Sequence, residues 1–145
     1  MWALENFSLE ISTTAGTDIL DLTALVEGEV RRTGVLRGLL HLFIPGSTAA
    51  LTTIEYESGV VNDLRRALER LFPRDLPYEH DARWGDGNGY AHVRAAFLKP
   101  DLHLPIADGR PQLGTWQQIV LVDFDNRPRR RRILGQVMGL AAPQG

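Results

Sequence analysis

The hydrophobic pattern of this chain predicts a protein in which strands outnumber helices. Phe7, Leu9 and Ile11 alternate with polar residues, as expected of a half-buried strand. Other strands are predicted where β-branched and other apolar residues cluster, with hairpin-like turns at Asp108-Gly109 and Asp125-Asn126. We therefore expect an α+β fold with a largely antiparallel sheet. The predicted strands span residues 7–12, 35–44, 51–56, 102–106, 115–123 and 131–138.

Helical spacing replaces this alternation in two segments, and a third, shorter helix is predicted at residues 90–98. Apolar residues recur at helical spacing over residues 22–30, and Gly34 can end that helix in a left-handed conformation. A second amphipathic helix is predicted over residues 60–71. Residues 73–89 then form a long irregular stretch, and long loops in compact domains are often functional.

The composition is that of an ordinary globular protein. With 145 residues, the chain has the length of one domain, and a chain of this length buries roughly 70% of its unfolded surface. We treat residues 1–145 as a single compact domain whose last residues, 141–145, form a loose tail. The formal net charge of -2 provides no general attraction to nucleic acid or to anionic membranes.

The chain lacks cysteine and lacks a long apolar segment, which limits its possible chemistry and its possible location in the cell. The chain has no cysteine, which excludes disulfides and thiolate catalysis and limits metal ligands to histidine, carboxylate and backbone groups. No apolar run is long enough to cross a membrane, and the N-terminus lacks the basic region of a signal peptide. We expect a cytoplasmic protein with no membrane segment.

Two histidines and several polar side chains lie close together in the irregular stretch and the helix that follows it. His80 and His92 are suited to binding Zn²⁺ or a similar ion, with Asp81, Asp86 or Glu55 as candidates for a third ligand. Their spacing matches no standard zinc motif. The same residues also fit a structural role in which both histidines hydrogen-bond the loop onto the sheet.

Other polar residues are candidates for binding an anion. Asn88 is placed to cap the third helix, whose N-terminus would offer amide donors. Arg94 could reinforce that site or pair with a surface carboxylate. Ser47 and Thr48 follow Gly46, which permits close backbone approach, so their hydroxyls could donate to phosphate or carboxylate oxygens. The alternative is a simple turn between two strands.

The segment Thr115-Trp116-Gln117 is predicted at the start of a strand. Thr115 and Gln117 would then share one face and could orient a ligand, although Gln117 could equally lie at an edge. Trp116 would anchor the core, so its truncation to alanine would cost about 3–5 kcal/mol. His41 and His103 lie in apolar strands and are expected to have structural roles.

The basic run at residues 127–132 suggests nucleic-acid binding only at first sight. It follows Asp123 and Asp125 and continues into a strand, so Arg129 and Arg131 would face opposite to their neighbours. No aromatic stacking platform lies nearby. We expect a solvated face or a subunit contact, and no nucleic-acid partner.

Several of these motifs together resemble the YjbQ-type family, whose members are called secondary thiamine-phosphate synthases. The resemblance runs from about residue 19 to residue 139 and is tightest at Asn88-Gly-Tyr-Ala-His92 and at Leu113-Gly-Thr-Trp-Gln117. It implies layers of largely antiparallel sheet with two or three helices, assembled as a homotrimer with sites near subunit contacts. One departure stands out, because Gly46 replaces a histidine that is usual in the family.

The resemblance implies a weak, secondary thiamine-phosphate synthase activity, which joins a thiazole phosphate to a pyrimidine diphosphate with loss of pyrophosphate. A divalent metal such as Zn²⁺ or Mg²⁺ would be bound by His80 and His92, and the partner would be a small phosphorylated or other anionic ligand. The missing histidine at position 46 supports the alternative of a non-catalytic trimer that binds a small anion or a metal. The candidate catalytic residues are Glu55, His80, Asp86 and His92. The candidate ligand-binding residues are Ser47, Thr48, Asn88, Arg94, Thr115 and Gln117.

Overall fold

A computed structural model of the chain, which describes residues 1–143, contains eight strands in two antiparallel sheets. The strands are β1 (Trp2–Thr13), β2 (Asp18–Asp21), β3 (Val35–Phe43), β4 (Ala49–Ile54), β5 (Asp101–Ala107), β6 (Arg110–Pro111), β7 (Gln118–Asp123) and β8 (Arg129–Ala141). The outer sheet has the strand order β1-β8-β3-β5-β6, and the middle sheet has the order β2-β7-β4. The predicted α+β class with antiparallel pairing is confirmed.

The part of the chain that the structure describes contains four helices, one more than the pattern predicts. They are α1 (Thr23–Thr33), α2 (Ser58–Leu71), α3 (Glu79–Trp84) and α4 (Gly89–Leu98). The additional helix is α3, which lies inside the stretch expected to be irregular. It has only six residues and buries none of them, so it leaves no apolar periodicity in the sequence. Gly85, with φ of 73°, ends it in a left-handed conformation.

The fold has three layers, because the middle sheet is covered on both faces. Its residues Leu51 and Leu121 pack with α1 and the inner face of the outer sheet in one core. Ala50 and Val122, which point the other way, pack with α2 and α4 in a second core. Strand β7 is consequently buried from Ile119 onward and reads as an unbroken apolar run. The expected β-rich layers are present, with a helical layer added.

Two expectations need correction, one about a turn between strands and one about the C-terminal residues. Asp108-Gly109 does form a hairpin turn, between β5 and β6. Asp125-Asn126, however, carries the chain from β7 in the middle sheet to β8 in the outer sheet, so it is not a hairpin. The C-terminus is also better ordered than a loose tail. Ala141 belongs to β8 and the amide of Ala142 donates to the carbonyl of Gly34, whereas residues 144–145 of that predicted tail lie outside the described residues.

The second face of the outer sheet, called the outer face below, has no covering layer within residues 1–143. Strand β8 alternates strictly between buried and exposed side chains as a result. No helix among the described residues has the length and apolarity needed to cross a membrane.

A polar cleft with paired histidines

A polar cleft of about 470 Å³ lies where the end of the middle sheet meets α3, α4 and the start of β8. Six of the predicted site residues line it, and they come from the β3–β4 connection, from α3, from the α3–α4 connection and from the first turn of α4. Those six are Ser47, Thr48, His80, Asp86, Asn88 and His92, and the cleft also contains Gly46, Trp84, Arg129 and Arg131.

The two histidines are in direct contact. The ring centroids of His80 and His92 lie 4.4 Å apart with the planes tilted by 42°. His80 Nδ1 lies 3.4 Å from Asp81 Oδ1 and 3.4 Å from Asp86 Oδ1. The ligand atoms of His80, Asp81 and Asp86 all lie within 4.8 Å of one another, so the structure brings together two of the three carboxylates suggested as a third ligand.

Electrostatics keep His92 neutral near pH 7. Burial lowers the pKa of His92 below its usual value of 6.5, and the neighbouring His80 lowers it further. The carboxylates of Asp86 and Asp125 oppose this shift without reversing it. A neutral imidazole in this position can accept a hydrogen bond, take up a proton or coordinate a metal.

The donor set of His80, Asp81 and Asp86 fits a divalent metal. A separation of 3.4 Å between nitrogen and oxygen is longer than a good hydrogen bond. It is close to the spacing of about 3.3 Å between neighbouring tetrahedral ligands whose bonds to the metal are about 2.0–2.1 Å long. The Gly89 amide donates to Asp81 Oδ1 over 2.8 Å and orients that carboxylate. The first amide of α4 is therefore occupied, contrary to the expectation that it is free for an anion.

Behind the cleft lies a buried network of charges. Arg131 donates from Nε to Asp123 Oδ2 over 2.7 Å and from Nη2 to Asp123 Oδ1 over 2.8 Å. Both Asp123 and Asp125 are fully buried, and Arg129 pairs with Asp125 over 2.8 Å. Thr48 donates its hydroxyl proton to Asp125 and accepts from Arg131, so its predicted role as a ligand donor is replaced by a structural one.

The alternation of the basic run makes this network possible. Arg129 and Arg131 share one face, as the alternation predicts, but they pair with buried aspartates of the same chain instead of forming a solvated face or a subunit contact. Arg130 and Arg132 point to the exposed face, near Glu10. Arg129 and Arg131 both line the cleft, but the sequence analysis did not include them among the site residues. The alternating pattern after the two aspartates did indicate that their side chains share one face.

Asn88 holds an orphaned acceptor in the cleft. Its Nδ2 donates to Asp125 Oδ1 over 3.3 Å, while its buried Oδ1 has no hydrogen-bond partner within the described residues. Burial alone would raise the pKa of Asp125, but hydrogen bonds from Asn126, Asn88, Arg129 and Thr48 lower it below 3.8. The sequence predicts that the Asn88 side chain caps α4, but it forms no such hydrogen bond. A bound donor or cation would satisfy Oδ1.

Gly46 is required by its surroundings. Its φ of 151° lies in a region that favours glycine, and a Cβ there would come within 3.1 Å of Arg131 Nη1. Among residues 1–143, Arg131 Nη1 forms no hydrogen bond, since Nε and Nη2 make the contacts to Asp123 and Thr48. The guanidinium thus lies beside the position where the family histidine would begin.

Arg94 does not belong to the cleft. It is 1% exposed, and it donates to the Phe72 carbonyl and to Thr17 Oγ1. Its Nη2 also forms an ion pair with Glu69. Arg94 follows His92 by two residues in α4, so its side chain lies about 200° around the helix, on the opposite side. The alternative of carboxylate pairing is therefore the one observed, although the arginine is buried.

Glu55 and the Thr115-Trp116-Gln117 segment lie at the opposite ends of β4 and β7 from the histidines. The pairing of Ile54 with Gln118 and of Ala49 with Asp123 separates the two groups by the length of β4, roughly 20 Å. Within one chain these residues cannot join the cleft.

The segment itself forms a turn rather than the start of a strand. The Gln117 amide donates to the Gly114 carbonyl, and the Gln117 side chain bonds the Gly114 amide and Thr53 Oγ1. Trp116 is 74% exposed at the tip of this turn, so the prediction that it anchors the core is wrong. Because little of its surface is buried, its truncation will cost far less than a core truncation.

Comparison with known proteins identifies the chain's relatives. A family described as UPF0047 protein YjbQ-like matches residues 7–140. The chain belongs to this YjbQ-like family. A UPF0047 protein from Mycobacterium tuberculosis is 39% identical over 132 residues, which cover 85% of this chain and 98% of that protein. One from Methanothermobacter thermautotrophicus is 35% identical and covers 90% of each chain.

Solved structures of YjbQ-like proteins have the same fold. A YbjQ-like protein from Sulfolobus solfataricus superposes with a TM-score of 0.92 at 28% identity, covering 97% of this chain and 100% of that one. A YjbQ/UPF0047 protein from Clostridium acetobutylicum gives 0.83 at 29% identity, covering 90% and 98%. The YjbQ-like resemblance deduced from the motifs is thus confirmed at the level of family and fold.

Proposed function

We propose that the cleft binds a divalent metal and a phosphorylated small molecule, and that it carries out thiamine-phosphate synthase chemistry. The observation that carries the proposal is the position of His80, 3.4 Å from both Asp81 and Asp86, across the same cleft from Ser47 and Arg131. Metal ligands and anion donors therefore face a common space.

His80, Asp81 and Asp86 would hold the metal, with His92 beside them. Imidazole and carboxylate donors suit Zn²⁺ or Mn²⁺, and the carboxylates also suit Mg²⁺. A metal bound there would neutralise negative charge on a diphosphate as it departs.

Ser47 and Arg131 would bind the phosphate oxygens. The Ser47 side chain is exposed at the cleft, and Arg131 directs its Nη1 beside Gly46. Although the charge of Arg131 is largely balanced by Asp123, Nη1 still offers a hydrogen-bond donor held in place by a buried network. This donor takes the place of the family histidine.

The proposed reaction forms one bond and breaks one. The thiazole nitrogen attacks the pyrimidine methylene carbon, and the carbon–oxygen bond to the diphosphate breaks with the electron pair leaving on pyrophosphate. Ser47 and Arg131 hold the departing phosphates in place. The neutral imidazole of His92 can accept a hydrogen bond from the pyrimidine.

A non-catalytic role is the second candidate, and Gly46 favours it. The loss of a histidine from the family pattern removes a general base or metal ligand. The same cleft would then bind a metal and a small anion without turnover.

We further propose that the chain assembles as a homotrimer, as the family resemblance implies. Trp2, Leu4, Met138 and Leu140 are all exposed on neighbouring strands of the outer face. Such a continuous apolar surface is typical of contacts between copies of a chain.

The test begins with binding. Isothermal titration of chelator-treated protein with Mn²⁺ should give a site that is lost in Asp86→Asn and His80→Ala. Glu79→Gln is the matched control, because it removes the same charge from an exposed position in α3 that does not line the cleft. Inorganic pyrophosphate should bind the metal-loaded protein more weakly after Ser47→Ala, but not after Ser58→Ala.

Turnover is then measured as pyrophosphate release from the pyrimidine diphosphate in the presence of the thiazole phosphate. Metal-dependent release that Asp86→Asn abolishes and Glu79→Gln retains would support the enzyme. Binding of metal and pyrophosphate without turnover would favour the non-catalytic role. Failure of Mn²⁺ and pyrophosphate to bind would overturn both.

A further inference from the structure

A second cluster of potential metal ligands lies on the outer face, away from the cleft. His41 in β3 is paired directly with His103 in β5, and Asp101 lies two residues before His103 on the same face. Two imidazoles and a carboxylate are thus presented by two adjacent strands. The apolar neighbours of His41 and His103 suggested that they have structural roles, but their strands instead direct both side chains outward, where 37% and 58% of their surfaces are exposed.

The geometry is unusual for a simple hydrogen-bonded pair. His41 Nε2 lies 3.5 Å and His103 Nδ1 lies 3.7 Å from the same oxygen, Asp101 Oδ2. Both separations exceed the 2.7–3.2 Å range of good N–H···O hydrogen bonds. The imidazole planes are parallel within 1°, with centroids 4.5 Å apart. The two rings are therefore stacked with one nitrogen of each near a single carboxylate oxygen.

The same distances approach those within a metal coordination sphere. All three ligand atoms lie within 4.8 Å of one another. Neighbouring ligands of a tetrahedral zinc ion are about 3.3 Å apart. The stacked rings must tilt towards each other for both nitrogens to face one ion, and the exposed position of His103 leaves room for that rotation. The pairing of β3 with β5 already holds the two histidines opposite each other.

We propose that His41, Asp101 and His103 form a second metal site, for Zn²⁺ or another late first-row transition metal. Two imidazole nitrogens with one carboxylate oxygen favour such metals over Mg²⁺ or Ca²⁺, which prefer oxygen ligands. Three protein ligands leave a coordination position for water or a small ligand.

A second cleft, of about 580 Å³, lies on the outer face beside this cluster. His41 lines this cleft together with Phe43 and Gln136. Gln136 lies opposite His41 on β8 and donates from Nε2 to Asn6 Oδ1 over 3.0 Å, which orients the amide. A ligand bound to the metal would thus have an apolar wall and an amide beside it. This site is independent of the function proposed for the histidine cleft.

Titration of chelator-treated protein with Co²⁺ tests the site, because tetrahedral Co²⁺ has intense visible absorption. The wild-type chain should bind two equivalents. His103→Gln and Asp101→Asn should each lose one equivalent, or weaken it by more than about 100-fold, since changes beyond the direct ligands already weaken metal binding by 10–100-fold. His80→Ala should lose only the other equivalent. Gln112→Ala is the control for His103→Gln. Gln112 lies at an exposed position directly after β6, so this change should leave both equivalents bound.

Circular dichroism melting curves of the metal-free variants will show whether they fold. Asp101→Asn preserves the size of the side chain, so it separates ligand loss from altered packing. Retention of the second equivalent in folded His41→Gln, His103→Gln and Asp101→Asn would overturn the proposal. Loss of both equivalents in His80→Ala alone would also overturn it, because all the metal would then belong to the cleft.

Discussion

At the scale of single residues, the cleft depends on buried charges that are fully paired. Asp123 and Asp125 are both inaccessible to solvent, and Arg131 forms two hydrogen bonds to Asp123. Burying a carboxylate is strongly unfavourable unless a partner compensates it. The network therefore holds Thr48 and Arg131 in one arrangement beside Gly46, which is what a binding site requires.

Replacing Arg131 by methionine should strongly destabilise the protein. The change leaves the buried Asp123 carboxylate without its partner, which costs about 3–5 kcal/mol. Urea denaturation monitored by circular dichroism measures the loss. Arg132→Met is the control, since Arg132 is exposed on the other face of β8 and its replacement should change stability by less than about 0.5 kcal/mol. Equal effects of the two changes would contradict the structural role of Arg131.

His92 should make the stability fall at mildly acidic pH. Burial and the adjacent His80 lower the pKa of His92 in the folded chain, whereas in the unfolded chain it stays near 6.5. Between the lowered value and 6.5 the unfolded chain binds more protons, so the free energy of unfolding decreases as the pH falls through that window. The effect is absent at higher pH, where both states hold a neutral imidazole.

Urea denaturation of metal-free protein between about pH 7.5 and 5.5 measures this dependence. His92→Gln should flatten the decrease, because the unfolded chain then gains no additional proton at this position. A decrease that His92→Gln leaves unchanged would assign the effect to another group.

At the scale of elements, local pattern identified most strands and helices but could not assign strands to sheets. The alternation in β1 and β8 follows from one buried and one exposed face, which is visible in sequence. The unbroken apolar run of β7 reflects burial on both sides by residues far along the chain. Strands β7 and β8 are consecutive yet join different sheets, and no local signal reports that.

The candidate site was predictable to a similar extent. Polar residues clustered near His80 and His92 were recognisable because such types seldom occur together in a core. Arg94, by contrast, looks like a ligand-binding residue in the sequence because it is a charged residue close to His92, but it is buried and paired with Glu69. Trp116 looked like a core residue because its size favours burial, whereas a four-residue turn exposes it. Both outcomes depend on tertiary contacts that residue type does not encode.

The pairing of β1 with β8 depends on one glycine. Phe7 lies opposite Gly135 and its ring fills the space above it, so a Cβ on Gly135 would come within 2.2 Å of Phe7 Cζ. Gly135→Ala should therefore destabilise the chain by about 1–3 kcal/mol through overpacking. Thermal and urea denaturation both report this change.

Gly28→Ala is the control with the opposite expected sign. Gly28 is exposed within α1 and a Cβ there meets nothing within 4 Å. Alanine is favoured over glycine in a helix, so this change should stabilise the protein by about 0.5–1 kcal/mol. Stabilisation by Gly135→Ala would show that Phe7 moves aside more easily than its buried position indicates.

At the scale of the whole molecule, the outer face is divided into an apolar half and a polar half. Leu4, Met138 and Leu39 form one row across three strands, and Trp2 and Leu140 form part of the next. The other half contains the His41–His103 pair and, at the start of β8, Arg130 and Arg132 near Glu10. Burial of the apolar half against other copies would leave the polar half for ligands.

Introducing a charge into the apolar half should therefore disrupt the proposed homotrimer. Met138 is 48% exposed, so Met138→Asp adds charge where a contact between copies would exclude water while changing little in the core of one chain. Size-exclusion chromatography with light scattering should give the mass of three chains for the wild type and a smaller mass for the variant. Ser12→Asp, which adds the same charge at an exposed position in the polar half, should leave the mass unchanged.

A wild-type mass of one chain would contradict the homotrimer. A trimer that tolerates Met138→Asp would instead place its contacts elsewhere, with the exposed Trp116 turn as the next surface to alter.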